Sequence, residues 1–179
     1  PLVDDRYPTL ATAASRGITG HSSGGYGALT LAMKHPDIFG AVACRAPDIY
    51  WEYTVIPAIA QLPLQMEKWG GFAQFIEDIP SIRPKGGDFW QAIHTLMQCM
   101  AYGPNPEHPL GFDPPIDTET GELVAAVWER WLQHDPVRMI DREDYQRALR
   151  SMSLVHLEAG RYDRYLLQIG ARIFSRKLT

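Results

Sequence analysis

Short apolar segments separated by helical patterns predict buried strands along this chain. They are Arg16 to Gly20, Gly40 to Cys44 and Ser153 to Leu157. Strands that alternate with helices usually pair in parallel, and helices then cover both faces of the sheet. The pattern therefore predicts an α/β fold with a small parallel sheet and flanking helices.

Four segments are predicted to be helices, because their apolar residues recur at helical spacing or fill a short run that ends before a proline. They are "YGALTLAMKH" (26–35), "TGELVAAVWERWLQHDP" (120–136), "EDYQRALRSM" (143–152) and "DRYLLQIGARIFSRKL" (163–178). Asp135 followed by Pro136 predicts a helix N-cap with proline at the first helical position.

The region from 48 to 115 differs in character, because prolines and glycines interrupt it and aromatic residues are spread through it. We expect a single domain, residues 1–179, in which 48–115 is a largely helical, cap-like or variable insertion. Its aromatic residues form either a satellite core or a cap that lines an apolar substrate pocket. Trp51 and Tyr53, just after the second predicted strand, are candidates for such a pocket.

Composition limits the classes of function. The chain has 179 residues, 45% of them hydrophobic, and a net charge of −4, which gives no reason to expect binding to nucleic acid or an anionic membrane. No apolar run approaches the roughly 20 residues of a membrane span, and the first residues do not resemble a signal peptide. Cys44 and Cys99 are expected to be buried thiols, and no metal or organic cofactor is indicated.

The segment "RGITGHSSGGYGAL" (16–29) carries the chemistry that the sequence suggests. Gly20, Ser22 and Gly24 form a Gly-x-Ser-x-Gly motif between a predicted strand and a predicted helix, which is typical of a nucleophile elbow. Small residues there let strand and helix approach each other, and Gly25 and Gly27 keep the start of the helix slim. Ser22 is then the nucleophile, and the N–H of Ser23 is one oxyanion donor.

Two other interpretations of this segment stay open. Ser22 could cap the helix within an ordinary glycine-rich turn, or Ser23 could be the nucleophile. The second alternative loses the symmetric spacing of the flanking glycines.

The segment "GHSSGGYGALTLAMKHPDIFGAVA" resembles the nucleophile segment of the esterase D-like family. That family contains S-formylglutathione hydrolases, feruloyl esterases and mycolyltransferases, all of them α/β-hydrolases. The segment "SLVHLEAGRYDRYLLQIGARIFSRKL" resembles the part of the family that carries the catalytic acid. The resemblance implies a partial α/β-hydrolase fold and a serine esterase.

Asp163 is the candidate acid. It follows the third predicted strand, at the strand end where ligands gather in open α/β sheets, and the resemblance points to the same residue. The alternatives are that Asp163 is a solvated turn residue or that Glu158 is the acid.

The general base is harder to assign. In this fold the chain order is Ser, acid, His, yet no histidine follows Asp163. His21 is expected to line the pocket or to pack, and His156 to pack within its strand. His108 and His134 are the least implausible substitutes, because loops can bring them over a site.

Few residues precede the motif, so we expect a chain truncated at both ends relative to a whole α/β-hydrolase. The strand Arg16 to Gly20 would then expose an unpaired edge, and such edges seek partners. We expect a homodimer or other homo-oligomer formed through this edge.

The functional expectation is a serine hydrolase that cleaves carboxylic esters or thioesters through an acyl-enzyme. The alternatives are a non-catalytic α/β module that binds carbohydrate or protein, and an acyltransferase. The sequence does not determine the cellular compartment.

Overall fold

The structure, a computed structural model, describes residues 2–179 of the chain. Three strands, β1 (Gly17–His21), β2 (Ala41–Arg45) and β3 (Leu154–Glu158), form one parallel sheet in the order β1-β2-β3. The predicted α/β class, with a small parallel sheet and flanking helices, is confirmed.

Helices account for most of the remaining regular structure. In chain order, the helices of the described residues are α1 (Leu2–Arg6), α2 (Ser23–Lys34), α3 (Trp51–Thr54), α4 (Ile56–Ile59), α5 (Leu62–Trp69), α6 (Phe72–Asp78), α7 (Gly87–Tyr102), α8 (Ala125–Leu132), α9 (Pro136–Met139), α10 (Glu143–Arg150) and α11 (Leu167–Leu178). A single 3₁₀ turn, Ala13–Ser15, precedes β1.

The chain divides into two compact units. The first contains the residues up to Thr54 together with Asp135–Thr179, and it holds the whole sheet; the second is Val55–His134. The insertion expected at 48–115 remains a prediction. The second unit overlaps this range but begins and ends later in the chain.

The core of the first unit forms where α2 covers the central strand. Leu29 and Met33 of α2 and Val42 and Cys44 of β2 have at most 2% of their surface exposed. Further members come from α9 and the residue after it, from α10 and from α11: Val137, Met139, Ile140, Leu149 and Phe174. Burial of each large apolar side chain contributes roughly 1.5–3 kcal/mol, so this cluster holds α2 firmly on the sheet.

The second unit has its own core of aromatic side chains. Phe75 is fully buried, and its ring contacts Trp69 at 5.4 Å and Phe89 at 5.9 Å between centroids. Phe72 meets Phe112 edge to face at 5.2 Å. These rings pack against one another, which favours the interpretation that they form a satellite core.

The structure corrects the predicted strands in two respects. Each begins and ends one residue later than expected, and only β2 alternates between partly and fully buried positions. β1 and β3 are edge strands within the described residues, and three of the five positions in each are exposed. His156, expected to pack, is exposed for the same reason, with Nε2 lying 3.3 Å from Glu158 Oε2.

The helix predictions are confirmed in position but not at every boundary. α8 begins at Ala125 and α11 at Leu167, several residues later than the apolar pattern suggested. Asp135 does cap α9, since its side chain accepts a hydrogen bond from the N–H of Val137. Cys44 and Cys99 are buried, as predicted.

Candidate active site

Ser22 lies at the junction of β1 and α2 in a backbone conformation that is rare for a residue with a side chain. Its φ is 56° and its ψ is −127°. Its N–H donates to the carbonyl of Arg45 (3.0 Å), and its carbonyl accepts from the N–H of Tyr26 (2.9 Å). The Ser22 side chain makes no capping hydrogen bond and is partly exposed, which does not fit the helix-cap interpretation.

Backbone contact between β1 and α2 explains two of the glycines. A Cβ on Gly20 would lie 2.0 Å from the carbonyl oxygen of Gly24, and one on Gly25 would lie 3.1 Å from that of Gly20. A Cβ on Gly24 or Gly27 would meet nothing within 4 Å. The expectation that Gly24 and Gly27 are small for steric reasons is therefore wrong; the close approach depends on Gly20 and Gly25.

Ser23 is the first residue of α2 and is exposed. Its N–H belongs to the first turn, whose N–H groups have no partner within the helix. Its hydroxyl donates to Asp48 Oδ2 at 2.6 Å. The helix therefore presents an N–H group beside Ser22, while the side chain of Ser23 is directed to the segment after β2.

Asp163 lies beyond the carboxyl end of β3 and is partly buried. Its Oδ1 accepts a hydrogen bond from the N–H of Tyr165 at 2.8 Å. β2 separates β1 from β3, so the ends of β1 and β3 that precede Ser22 and Asp163 lie about 10 Å apart. Glu158, the alternative acid, is the last residue of β3 and pairs with Arg45 at 3.2 Å.

The histidines that the sequence singled out have different surroundings. His21 is exposed, and its Nδ1 lies 3.2 Å from the carbonyl oxygen of Arg45. His108 and His134 belong to the second unit. The ring of His108 stacks on Phe112, and that of His134 packs on Tyr102.

The two aromatic candidates for a pocket differ in exposure. Trp51 is 1% exposed, its Nε1–H donates to the carbonyl of Asp48 at 3.1 Å, and its ring lies 5.8 Å from that of Tyr26. Tyr53 is 43% exposed and packs on Tyr50. Only Tyr53 therefore offers a surface to a ligand.

Sequence reasoning missed Asp48 and the wider role of Asp135. Asp135 is fully buried and, besides capping α9, accepts hydrogen bonds from the N–H groups of Tyr50 and Trp51. The Asp-Pro dipeptide reveals the cap, but no local pattern reveals partners that are 84 and 85 residues away along the chain.

A groove of about 1020 Å³ lies between β3 and α11. Val155, Leu157, Glu158 and Phe174 are among the residues that line it, and none of its lining residues comes from the β1–α2 junction. It therefore borders the free edge of β3 rather than Ser22.

Residues 2–179 contain neither a candidate metal site nor a helix that could span a membrane. No group of three or more His, Cys, Asp or Glu side chains is placed to hold a metal ion. None of the helices in this part of the chain has the length and hydropathy needed to cross a bilayer.

Comparison with known proteins identifies the family. The family model described as "Putative esterase" matches residues 1–171. An S-formylglutathione hydrolase of Paracoccus denitrificans (strain Pd 1222) is 54% identical over 46 residues. That match covers 26% of this chain and 16% of the relative. Because the family model matches almost the whole chain, this protein belongs to the "Putative esterase" family.

Proposed function

We propose that this chain carries the nucleophile and the acid of a serine hydrolase that cleaves carboxylic esters or thioesters through an acyl-enzyme. Membership of an esterase family supports hydrolysis of the ester type. The relative from Paracoccus is named for the hydrolysis of S-formylglutathione, a thioester, and this supports including thioesters among the substrates.

The conformation of Ser22 carries the proposal. A non-glycine residue with positive φ costs about 1–3 kcal/mol and persists where the surrounding structure enforces it, most often at functional sites. Here the backbone contact between Gly20 and the first turn of α2 enforces it. Such a turn directs a serine hydroxyl away from both strand and helix, as a nucleophile requires.

Stabilisation of the oxyanion is proposed to begin with the N–H of Ser23. When Ser22 Oγ attacks the acyl carbon, the carbonyl oxygen becomes negatively charged. The N-terminus of α2, a helix that runs from Ser23 to Lys34, favours that charge through its unpaired N–H groups and its dipole. One such donor contributes about 3–4 kcal/mol to transition-state stabilisation.

Proton transfer completes the proposed mechanism. A histidine takes the proton of Ser22 Oγ and then donates it to the leaving alcohol or thiol, and Asp163 orients that histidine. Water, activated by the same histidine, releases the acid and restores the serine. We propose that this histidine lies outside the sequence of the chain and bridges the interval between Ser22 and Asp163.

A fluorophosphonate probe, which phosphonylates activated serines, tests the assignment. We expect the folded chain to react faster than the urea-unfolded chain even without that histidine, because the turn at Ser22 and the N–H of Ser23 retain part of the catalytic effect. The added mass should lie on Ser22 in the tryptic peptide Gly17–Lys34. Ser22→Ala should abolish the reaction. Ser23→Ala is the matched control, because it removes the neighbouring hydroxyl but keeps the proposed oxyanion N–H, and its peptide should still be labelled.

Two results would contradict the proposal. Equal labelling of the folded and unfolded chain would show that the fold does not activate Ser22 and would favour the non-catalytic binding module. Labelling on Ser23 that survives Ser22→Ala would move the nucleophile by one position.

A further inference from the structure

The segment that follows β2 holds two residues in strained backbone conformations. Ala46 has a φ of 44° and Tyr50 a φ of 62°, and neither is glycine. Left-handed conformations of this kind persist in residues with a side chain only when neighbouring groups enforce them. Some interaction must therefore fix residues 46–51, which we call the β2 loop.

Asp135 supplies that interaction. Its Oδ1 accepts from the N–H of Tyr50 at 3.0 Å, and its Oδ2 accepts from the N–H of Trp51 at 2.9 Å. Oδ1 also accepts from the N–H of Val137 at 3.0 Å. One buried carboxylate thus ties the far end of the β2 loop to the start of α9.

Burial affects the ionisation of this carboxyl group. Loss of solvent raises the pKa of Asp135, and the three N–H groups, which favour the ionised form, oppose that rise. An ionised carboxylate only accepts hydrogen bonds, so it suits a position that faces three N–H donors.

The same loop contacts the candidate active site at its other end. Asp48 Oδ2 accepts from the hydroxyl of Ser23 at 2.6 Å, and the carbonyl of Asp48 accepts from Trp51 Nε1–H at 3.1 Å. Hydrogen bonds therefore connect Asp135 to Trp51, Trp51 to Asp48, and Asp48 to the first residue of α2.

We propose that Asp135 is a positioning residue of the active site: it fixes the β2 loop and, through Asp48, the first turn of α2 that presents Ser23 beside Ser22. This inference rests on the proposed function only for its catalytic consequence. The structural consequence, a fixed first turn of α2, can be measured without substrate.

Asp135→Asn is the isosteric test. The asparagine keeps one carbonyl oxygen for Tyr50 and Val137, but it directs an N–H₂ group at the N–H of Trp51. Two donors then face each other, and the β2 loop loses one of its attachments while the volume of the side chain is preserved.

The amide of Tyr26 reports on the first turn of α2, since it donates the first hydrogen bond of that helix to the carbonyl of Ser22. We expect Asp135→Asn to accelerate hydrogen exchange of this amide at least tenfold, because the first turn of α2 opens more often by local unfolding. NMR measures the exchange rate. Met33→Ala is the matched control, because Met33 is buried in the last turn of α2 and takes no part in the hydrogen bonds that connect Asp135 to Ser23. The two variants are compared at the same distance below their melting temperatures.

Asp48→Ala removes the acceptor of the Ser23 hydroxyl at a partly exposed position and should also speed exchange of the Tyr26 amide. It keeps the inference testable if Asp135→Asn does not fold. Equal exchange at Tyr26 in Asp48→Ala and the wild type would overturn the proposal. So would equal exchange in Asp135→Asn and Met33→Ala.

The fluorophosphonate rate provides the second readout. We expect Asp135→Asn and Asp48→Ala each to slow labelling of Ser22 by roughly tenfold, because the first turn of α2 is misplaced. Met33→Ala should leave that rate within twofold. If the wild type is not labelled, the proposed function fails, while the exchange rates still decide whether Asp135 positions the turn. If the wild type is labelled and the Asp135→Asn rate is unchanged, the inference about Asp135 fails and the function stands.

Discussion

Gly20 and Gly25 let β1 and the first turn of α2 come into direct backbone contact. Substitution of either by a larger residue forces the two elements apart, because the atoms that a Cβ would meet are backbone atoms and cannot rotate away. The sharp turn at Ser22 depends on this contact.

We therefore expect losses of stability of very different size from two alanine substitutions in the same motif. Gly20→Ala places Cβ 2.0 Å from the Gly24 carbonyl oxygen and should lower the free energy of unfolding by about 3 kcal/mol or more. Gly24→Ala meets no atom within 4 Å and should stay within about 1 kcal/mol of the wild type. Urea denaturation measures both; equal losses would show that the close contact is absent.

Burial also determines the chemistry of the two thiols. Loss of solvent raises the pKa of Cys44 to about 12 and that of Cys99 to about 12. Because the thiolate is the reactive form, both should remain protonated and inert as the pH rises through 8 and 9.

Iodoacetamide at pH 8 tests this expectation. The folded chain should incorporate little reagent, and the urea-unfolded chain should be alkylated on both cysteines. Rapid alkylation of the folded chain at either position would show that the thiol is accessible and ionised.

At the scale of elements, α11 packs against the β2 loop through a glycine. A Cβ on Gly170 would lie 2.8 Å from both Cγ1 and the carbonyl oxygen of Ile49 and 3.0 Å from Cβ of Tyr50. Helix propensity alone would favour alanine at this interior helical position, but the contact with Ile49 and Tyr50 outweighs it.

Gly170→Ala should therefore destabilise the protein by about 1–3 kcal/mol. Gly27→Ala is the matched control in α2, since a Cβ there meets nothing within 4 Å and alanine should gain about 1 kcal/mol from propensity. Thermal unfolding compares the two. A gain in stability for Gly170→Ala would mean that α11 does not approach the loop so closely.

Most elements of the first unit could be predicted, because their signals are local. Apolar runs indicate strands, and Asp135-Pro136 indicates a helix start. The edge position of β1 was expected, but that of β3 could not be predicted from local patterns, since it depends on the neighbours that each strand finds. That is why β3 was expected to be buried and His156 to be packed, whereas His156 is exposed.

At the scale of the whole molecule, the unpaired backbone of β1 is the feature that favours association. β1 and β3 are the two edges of the sheet in the described residues, and unpaired edges favour pairing with another chain. We continue to propose that two copies pair along β1, and light scattering at micromolar concentration should then give twice the chain mass of 20.2 kDa.

Thr19→Lys adds a charge at an exposed position of that edge and should shift the protein towards the monomer, because charged side chains oppose edge pairing. Thr118→Lys, at an exposed position in the second unit, is the control and should leave the mass unchanged. A wild-type mass equal to that of one chain would contradict this proposal.

Local sequence patterns were enough to predict the family, the α/β class and the strand–serine–helix order around Ser22. These follow from residues close together in the chain, where apolar periodicity and glycine spacing act directly on the local backbone. The packing of the whole fold was needed to show that Gly25 rather than Gly24 has no room for a Cβ, that Asp48 bonds to Ser23, and that Asp135 accepts hydrogen bonds from the β2 loop. Those contacts join residues up to 85 positions apart, and their partners are set by how the elements pack rather than by any local pattern.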